Sequence, residues 1–232
     1  MQFVQFVRDA IGLLFPELCA GCRQVLVNQE NQLCTNCIYN LPKTDFHLDP
    51  DNLAARQLMG RVPVSNVSSF LYFTSGSIVQ EIIHHIKYKN GFVTAELMGR
   101  LYGQQLKDSR EAAEYTVIIP VPLHTKRLRS RGYNQSEHFA KGLSKELNIG
   151  ISTDNLIRKT HNKSQTKNKT RYDRYENTKD IFEVKNLKLL ENQHVLLVDD
   201  VLTTGATLEG CSRVLLQIPN VKVSIATIAF AK

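Results

Sequence analysis

Two adjacent carboxylates, Asp199 and Asp200, stand between an apolar run and a cluster of hydroxyl side chains in the stretch HVLLVDDVLTTGATL, His194 to Leu208. The first five residues of this stretch predict a buried strand, so the acidic pair would follow its carboxyl end, where open α/β sheets bind ligands. Gly205 lets the backbone bend closely, and N–H groups exposed at the start of the next helix can cradle a phosphate. Carboxylates for sugar hydroxyls beside a phosphate nest predict a ribose 5-phosphate site.

Three alternatives fit this stretch less well than a ribose 5-phosphate site: a plain turn, a dinucleotide site and a nucleoside triphosphate loop. A plain strand-to-helix turn with a threonine N-cap needs one Asp and one Thr, whereas the chain has the full order D-D-x-x-T-T-G-x-T. A dinucleotide site would carry G-x-G-x-x-G, and a nucleoside triphosphate loop would carry G-x-x-x-x-G-K-[ST]. Neither motif occurs in the sequence, which counts against both ligand classes.

Four of the five cysteines lie close together in CAGCRQVLVNQENQLCTNC. Cys19 with Cys22, and Cys34 with Cys37, form two C-x-x-C pairs, a spacing typical of short turns that wrap one tetrahedral ion. Zinc suits four sulfur ligands and would supply folding energy on the order of 10 kcal/mol to this short segment. Two disulfides, which a reducing compartment disfavours, and a rubredoxin-like iron site are the alternatives. The fifth cysteine, Cys211, lies in a helical pattern and is predicted to be a core residue.

Two basic stretches suit an anionic ligand. PVPLHTKRLRSRGYNQS, after the strand predicted at Val117, carries four cations within six residues, namely Lys126, Arg127, Arg129 and Arg131. They would face a pyrophosphate leaving group whose charge Mg²⁺ shares, although alone the stretch would be interpreted as a solvated loop. RKTHNKSQTKNKTRYDRYEN, Arg158 to Asn177, has almost no aliphatic residues. It is either a disordered linker or a mobile flap that closes over an anion.

Strands and helices alternate along the rest of the chain. Strands are predicted over Val67–Phe73, Tyr115–Pro122 and Val221–Ala231, and helices over 77–88, 92–106, 136–147 and 207–218. Ser77 and Gln80 form a predicted capping box at the start of the first of these helices. Strands that are apolar on both faces, alternating with helices, predict an α/β fold with a parallel sheet covered on both sides.

Length and charge limit the architecture and the partners. The 232 residues are predicted to divide into an N-terminal helix and zinc module, 1–47, and a larger domain, 48–232. The formal net charge of +7 favours anionic partners such as phosphates or nucleic acid, and equally fits solubility alone. The apolar stretch Phe3–Phe15 is too short to span a membrane, lacks leader features, and predicts a short amphipathic helix. The cytoplasm is the expected compartment.

The stretch from His194 to Leu208 resembles the phosphoribosyl pyrophosphate signature of the type I phosphoribosyltransferases. The resemblance implies their fold, a parallel sheet flanked by helices with a hood, here drawn from residues around 62–90 and the flap. It implies that Asp199 and Asp200 hold the ribose hydroxyls, directly or through Mg²⁺. It also implies that five consecutive residues bind the 5-phosphate: Thr203, Thr204, Gly205, Ala206 and Thr207.

Further motifs resemble the ComF family, which is linked to competence for DNA uptake. They are LLFPELC before the cysteines, the stretch PVPLHTKRLRSRGYNQS, and a flap with the order Arg–Gln–Arg–Asn. In the stretch PVPLHTKRLRSRGYNQS, the residues that match the motif of the family are Pro120, Pro122, Arg127, Arg131, Gly132, Asn134 and Gln135. In the flap, the residues that match the motif of the family are Arg158, Gln165, Arg174, Asn177 and Phe182. The chain departs from the family at Asn168, where an aliphatic residue is usual, so the docking of the flap stays open.

These resemblances lead to one main hypothesis and two rivals. The main one is a phosphoribosyltransferase-like protein that binds phosphoribosyl pyrophosphate with Mg²⁺, Gln165 and Arg174 of the flap contributing to substrate binding. An acceptor would attack C1 of the ribose as pyrophosphate departs. The sequence identifies no general base, and His124 is only a guess. One rival is a non-catalytic accessory of DNA uptake that binds single-stranded DNA through its basic surface. The other is a structural partner for a competence helicase through the zinc module.

Overall fold

The computed structural model describes residues 16–27, 29–159 and 181–231 of the chain. Its strands are β1 (Asn66–Phe73), β2 (Val117–Pro120), β3 (Gly150–Ile151), β4 (Leu156–Arg158), β5 (Phe182–Val184), β6 (His194–Leu202) and β7 (Lys222–Ala231). Five of them form one sheet in the order β1-β7-β6-β2-β3, and every neighbouring pair is parallel. β4 and β5 pair separately and antiparallel. The predicted parallel sheet is confirmed.

Seven α-helices belong to the described ranges. They are α1 (Thr35–Tyr39), α2 (Leu53–Leu58), α3 (Ile78–Tyr88), α4 (Phe92–Leu106), α5 (Thr125–Arg131), α6 (Gln135–Leu147) and α7 (Ala206–Leu215). Single turns of 3-10 helix occur at Phe46–Leu48, Ala112–Glu114 and Leu187–Leu189. The cap predicted at Ser77 is confirmed, because its hydroxyl accepts the N–H of Gln80 at 3.4 Å. In these parts of the chain, the helices are too short or too polar to cross a membrane.

Successive residues of β6 point into two hydrophobic cores, one on each face of the sheet. Leu196 and Val198 pack with apolar residues of α3, α4 and α6. Val195 and Leu197 pack on the other face with α2, α7 and the β4–β5 pair. A strand buried on both faces needs apolar residues at every position, which is the reason for the unbroken run in this part of the sequence.

The four-cysteine segment packs directly on the larger domain. Three of its cysteines are buried in the same core as α3 and α4. After α1 the chain runs antiparallel to the outer edge of β1, and the N–H of Tyr72 donates to the carbonyl of Pro42 at 2.8 Å. This contact covers part of a sheet edge that would otherwise expose unpaired backbone groups. The division into units 1–47 and 48–232 stays a prediction.

Strand β6 is longer than the sequence predicted. It does not end at Val198 but continues to Leu202, so Asp199 and Asp200 lie inside the strand. The neighbouring β2 stops at the pair Pro120–Val198, whereas β6 remains paired with β7 to its end. The two carboxylates therefore project beyond the end of β2 while β7 still holds their backbone.

Two other regions differ from expectation. The basic stretch predicted as a loop contains the helix α5, with His124 as N-cap and Gly132 in a left-handed conformation after its last turn. Strand β1, in the segment assigned to a hood, is an edge strand of the main sheet. The predicted N-terminal helix, 3–15, lies outside the described residues, as do residues 160–180 of the flap region.

Candidate functional site

The order of the strands places a crevice between β2 and β6. From β2 the chain passes through α5 and α6 to β3 on one side, and from β6 it passes through α7 to β7 on the other. The connections after these two neighbouring strands therefore diverge, and ligands of open α/β sheets bind at such a point. The crevice measures about 80 Å³. Its charged lining consists of Lys87, Arg127, Arg131, Arg158, Asp199 and Asp200.

Asp199 accepts two hydrogen bonds through the same carboxylate oxygen. Its Oδ1 accepts the hydroxyl of Ser136 at 2.8 Å and the N–H of Asp200 at 2.8 Å. Burial, and then the neighbouring Asp200 carboxylate, raise the pKa of Asp199 to about 7. The charged form of this side chain is therefore costly in the free protein, and a cation or a hydroxyl donor of a ligand would stabilise it.

Asp200 is the more deeply buried member of the pair, with 6% of its surface exposed. Its Oδ1 accepts the N–H of Val201 at 2.7 Å. Its Oδ2 accepts no well-aligned hydrogen bond from the described residues, although the Nζ of Lys87 lies 3.1 Å away. We interpret this contact as an ion pair without hydrogen-bond geometry. A buried carboxylate oxygen with spare acceptor capacity suits a hard cation such as Mg²⁺ or a sugar hydroxyl, so the pair fits the predicted Mg²⁺-assisted ribose site.

The loop Thr203–Thr207 follows β6 and leads into α7. Gly205 has φ +75°, a left-handed conformation that favours glycine, and a Cβ there would also lie 2.7 Å from Cδ2 of Leu58. The side chain of Gln57 donates to the carbonyl of Thr203, and Nη1 of Arg61 donates to the carbonyl of Thr204 at 2.7 Å. These bonds fix the loop carbonyls, and the N–H of Ala206 donates to Oγ1 of Thr204 at 3.5 Å. The loop leads into a helix N-terminus, where backbone donors can bind an anion.

Only some of the predicted substrate residues line the crevice. Thr207 does, together with Arg127 and Arg131 of α5. Thr203, Thr204 and Ala206 lie beside it with exposed side chains. Lys126 and Arg129 are exposed on α5 outside the lining. Their part in ligand binding stays a prediction.

His124, the candidate base from the sequence, has a structural position. Its Nδ1 accepts the N–H of Lys126 at 3.1 Å and caps α5, and the ring does not line the crevice. Among the described residues that line the crevice, the better candidate for a proton acceptor is the Asp199 carboxyl, whose pKa is raised to about 7.

Two residues of the flap are described, and they lie on the α7 side of the crevice. The guanidinium of Arg158 stands 5.5 Å from the ring centre of Phe182. Phe182 in turn packs on α7, because its ring lies 3.2 Å from the position of a Cβ on Gly210. Arg158 is thus a cation near the helix that follows the 203–207 loop. Gln165, Arg174 and Asn177 fall outside the described residues.

Two crevice residues, Lys87 and Ser136, were not predicted from the sequence. Ser136 stands in the first turn of α6, where Asn134 is the cap, and the sequence shows it only as part of that helix start. Lys87 follows the buried Ile86 near the end of α3. No local pattern marks it as a binding residue, because its partner Asp200 is brought to it only by the packing of α3 on the sheet.

The four cysteines form one compact ligand set. Their Sγ atoms all lie within 4.8 Å of one another, and none is in a disulfide. The N–H of Cys34 donates to Sγ of Cys19 at 3.3 Å, and the N–H of Cys37 donates to Sγ of Cys34 at 3.4 Å. Burial opposes a charge on Cys19, but backbone N–H donors outweigh it and lower the pKa of this thiol to about 7. Four thiols with backbone donors to sulfur fit a structural zinc ion.

Comparison with known proteins agrees with this fold. Residues 134–232, which include Ser136, both carboxylates and the 203–207 loop, match the family described as phosphoribosyl transferase domain. This match covers less than half of the chain, and together with the relatives below it supports a protein of the phosphoribosyltransferase superfamily. Relatives named for competence or DNA utilization support a ComF-type protein, and two of the three described below extend along most of the chain.

Three relatives illustrate the similarity. The chain is 27% identical to Competence protein F of Haemophilus influenzae over 209 residues, which are 85% of this chain and 90% of that protein. It is 26% identical to DNA utilization protein YhgH of Escherichia coli K12, over 86% of this chain and 84% of that protein. Competence protein ComFC of Bacillus subtilis is 36% identical over 45% of this chain and 40% of its own length.

Proposed function

We propose that the crevice binds phosphoribosyl pyrophosphate together with Mg²⁺, and that the chain is a competence-associated phosphoribosyltransferase-like protein. The observation that carries the proposal is that the pair Asp199 and Asp200 shares one crevice with Thr207 and with the cations Arg127, Arg131 and Arg158. The 203–207 loop and Arg158 are at the α7 end, and Arg127 and Arg131 are on α5. A ligand with a sugar between two phosphate groups matches this distribution.

Each part of the ligand has a candidate partner. The 5-phosphate would bind the backbone donors and hydroxyls of the 203–207 loop, near Arg158. The ribose hydroxyls would face Asp199 and Asp200, and the pyrophosphate would face Arg127 and Arg131. Mg²⁺, when bound, would share the charge of the pyrophosphate.

Transfer of the phosphoribosyl group would rest on positioning and charge neutralisation. An acceptor attacks C1 of the ribose, the bond from C1 to the pyrophosphate oxygen breaks, and the pyrophosphate leaves with the bonding pair. The cations of α5 stabilise the charge that develops on this leaving group. The proton of the acceptor passes to solvent or to a nearby carboxylate.

Calorimetric titration with phosphoribosyl pyrophosphate and Mg²⁺ tests the proposal. We expect saturable binding with one site per chain, weakened about tenfold or more in Asp200→Asn, which loses a charge-assisted partner of the ligand. Asp154→Asn removes an exposed carboxylate outside the crevice and serves as the matched control. Absence of binding to the unmodified protein, or equal binding by all three proteins, would refute the proposal.

A second candidate function is binding of single-stranded DNA. Lys126 and Arg129 favour it, because they are exposed on α5 and point outside the crevice lining, and two relatives are named for competence or DNA utilization. Such binding should weaken steeply with salt. We expect Lys126→Glu with Arg129→Glu to abolish it, and negligible binding of the unmodified protein at low salt would exclude it. Docking of a competence helicase on the four-cysteine segment stays a prediction.

A further inference from the structure

Lys87 is a cation of the crevice that contacts Asp200 and is not yet matched to any group of the ligand. Its Nζ lies 3.1 Å from Oδ2 of Asp200, and its side chain is 24% exposed. The ammonium group is therefore partly buried and still reaches the crevice. It neutralises Asp200 in the free protein, but it does so without hydrogen-bond geometry. An ammonium with three donors and a poorly aligned partner has donor capacity left for a ligand.

The end of α3 that carries Lys87 is fixed to the α5 side of the crevice. The hydroxyl of Tyr133, which follows α5, donates to the carbonyl of Ile86. The guanidinium of Arg131 stands 5.3 Å from the ring centre of Tyr88. Both neighbours of Lys87 in the sequence thus contact the segment that ends α5. Lys87 and Arg131 are held together as one cationic wall.

The opposite end of the crevice is supported by other elements. Gln57 and Arg61, in and after α2, hold the carbonyls of the 203–207 loop. Arg158 lies against Phe182, which packs on α7. The contacts that fix Lys87 come from α5 and its C-terminal turn, whereas those that fix the phosphate loop come from α2. Lys87 and the phosphate loop are therefore fixed by different elements.

We propose that Lys87 binds the anionic group attached to C1 of the ribose and makes the crevice selective for pyrophosphorylated ribose over ribose 5-phosphate. This inference rests on the proposed function, since it assumes that the sugar lies over the carboxylate pair. In the free protein Lys87 neutralises Asp200. In the complex its free donors face the pyrophosphate, beside Arg131. Lys87 is a binding residue that determines specificity.

Calorimetry with two ligands, phosphoribosyl pyrophosphate and ribose 5-phosphate, each with Mg²⁺, tests the assignment. Lys87→Met should weaken binding of the pyrophosphorylated ligand about 10- to 100-fold, the usual effect of one charge-assisted contact. Binding of ribose 5-phosphate should be unchanged or tighter, because this ligand has no group for Lys87 and gains a freed Asp200. Lys89→Met removes an exposed lysine of the same helix end and should change neither affinity.

The outcomes separate the two proposals. If the unmodified protein binds neither ligand, the proposed function fails, and the role of Lys87 falls with it. If it binds both ligands, but Lys87→Met weakens both equally or neither, the proposed function stands and the role of Lys87 is wrong. Lys87→Met also leaves the Asp200 carboxylate without its ion pair, and that change could itself alter binding. The ratio of the affinities for phosphoribosyl pyrophosphate and ribose 5-phosphate is therefore also compared between Asp200→Asn and the double variant Asp200→Asn with Lys87→Met. The same selective loss is expected in that background.

Discussion

Replacing Asp199 with asparagine should stabilise the ligand-free protein at neutral and alkaline pH. Burial and the adjacent Asp200 raise the pKa of Asp199 from 3.8 to about 7. A shift of about three pKa units corresponds to about 4 kcal/mol of unfavourable free energy for the charged form in the folded state. Asparagine keeps an oxygen that accepts from Ser136 and carries no charge, so the variant avoids this cost.

The sign of the pH dependence follows from the direction of the shift. A carboxyl whose pKa is raised on folding favours the folded state at low pH, and that advantage is lost as the pH rises from 3.8 through about 7. The stability of Asp199→Asn relative to the unmodified protein should therefore increase between about pH 4 and about pH 7 and then level off.

Urea unfolding of both proteins across this pH range, in buffer free of Mg²⁺, measures the difference directly. The comparison cancels the titration of groups that the two proteins share. Asp154→Asn, which alters an exposed carboxylate, should differ from the unmodified protein by a small and constant amount. A constant difference for Asp199→Asn as well, or a difference that shrinks as the pH rises, would show that the charge of the buried carboxyl does not destabilise the folded state.

Three further perturbations test the supports of the site. Gly142→Ala should cost about 3 kcal/mol or more in urea unfolding, because its Cβ would lie 2.2 Å from the carbonyl oxygen of Glu96 where α4 and α6 touch; a loss below about 1 kcal/mol would show that the helices separate easily. Metal analysis should find a single zinc ion per chain, and a strong chelator should lower the Tm, because three of the cysteines are buried in the core that contains α3 and α4. An unchanged Tm would contradict this prediction. Arg61→Ala should weaken ribose 5-phosphate binding about tenfold in calorimetry, because the carbonyl of Thr204 loses its donor and Glu209 loses an ion-pair partner. An unchanged affinity would mean that the loop holds its conformation alone.

Apolar patterning was sufficient to predict the main elements, and local signals were sufficient for several of their ends. The run HVLLV and the cap at Ser77 gave a buried strand and a helix start in the right places. The helix α5 was missed because its charged sequence has no apolar stripe, although Gly132 after its last turn was a readable C-terminal signal. The short α2 was missed because six residues carry little periodicity.

What the sequence could not provide was the set of contacts made between distant elements. The extension of β6 through Asp199 and Asp200 depends on pairing with β7, for example Asp199 with Thr227. The approach of Lys87 to Asp200 depends on the packing of α3 beside those strands. Strand order and helix packing are long-range properties, and no window of the sequence around either residue contains them.

The charges of the crevice are arranged in a way that the free protein alone does not explain. Asp199 is held where its charge is unfavourable, and Asp200 is neutralised by a lysine with imperfect geometry. Four cations line the crevice with these two carboxylates, so the site has a surplus of positive charge. Oδ2 of Asp200 has no well-aligned hydrogen bond from the described residues. A ligand with phosphate groups alone would pair with the cations and offer nothing to the two carboxylates. A metal ion alone would bind the carboxylates and offer nothing to the cations. A phosphorylated sugar with its hydroxyls, accompanied by a divalent cation, satisfies both sets at once, because its anionic ends meet the cations while its hydroxyls or its metal ion meet the carboxylates.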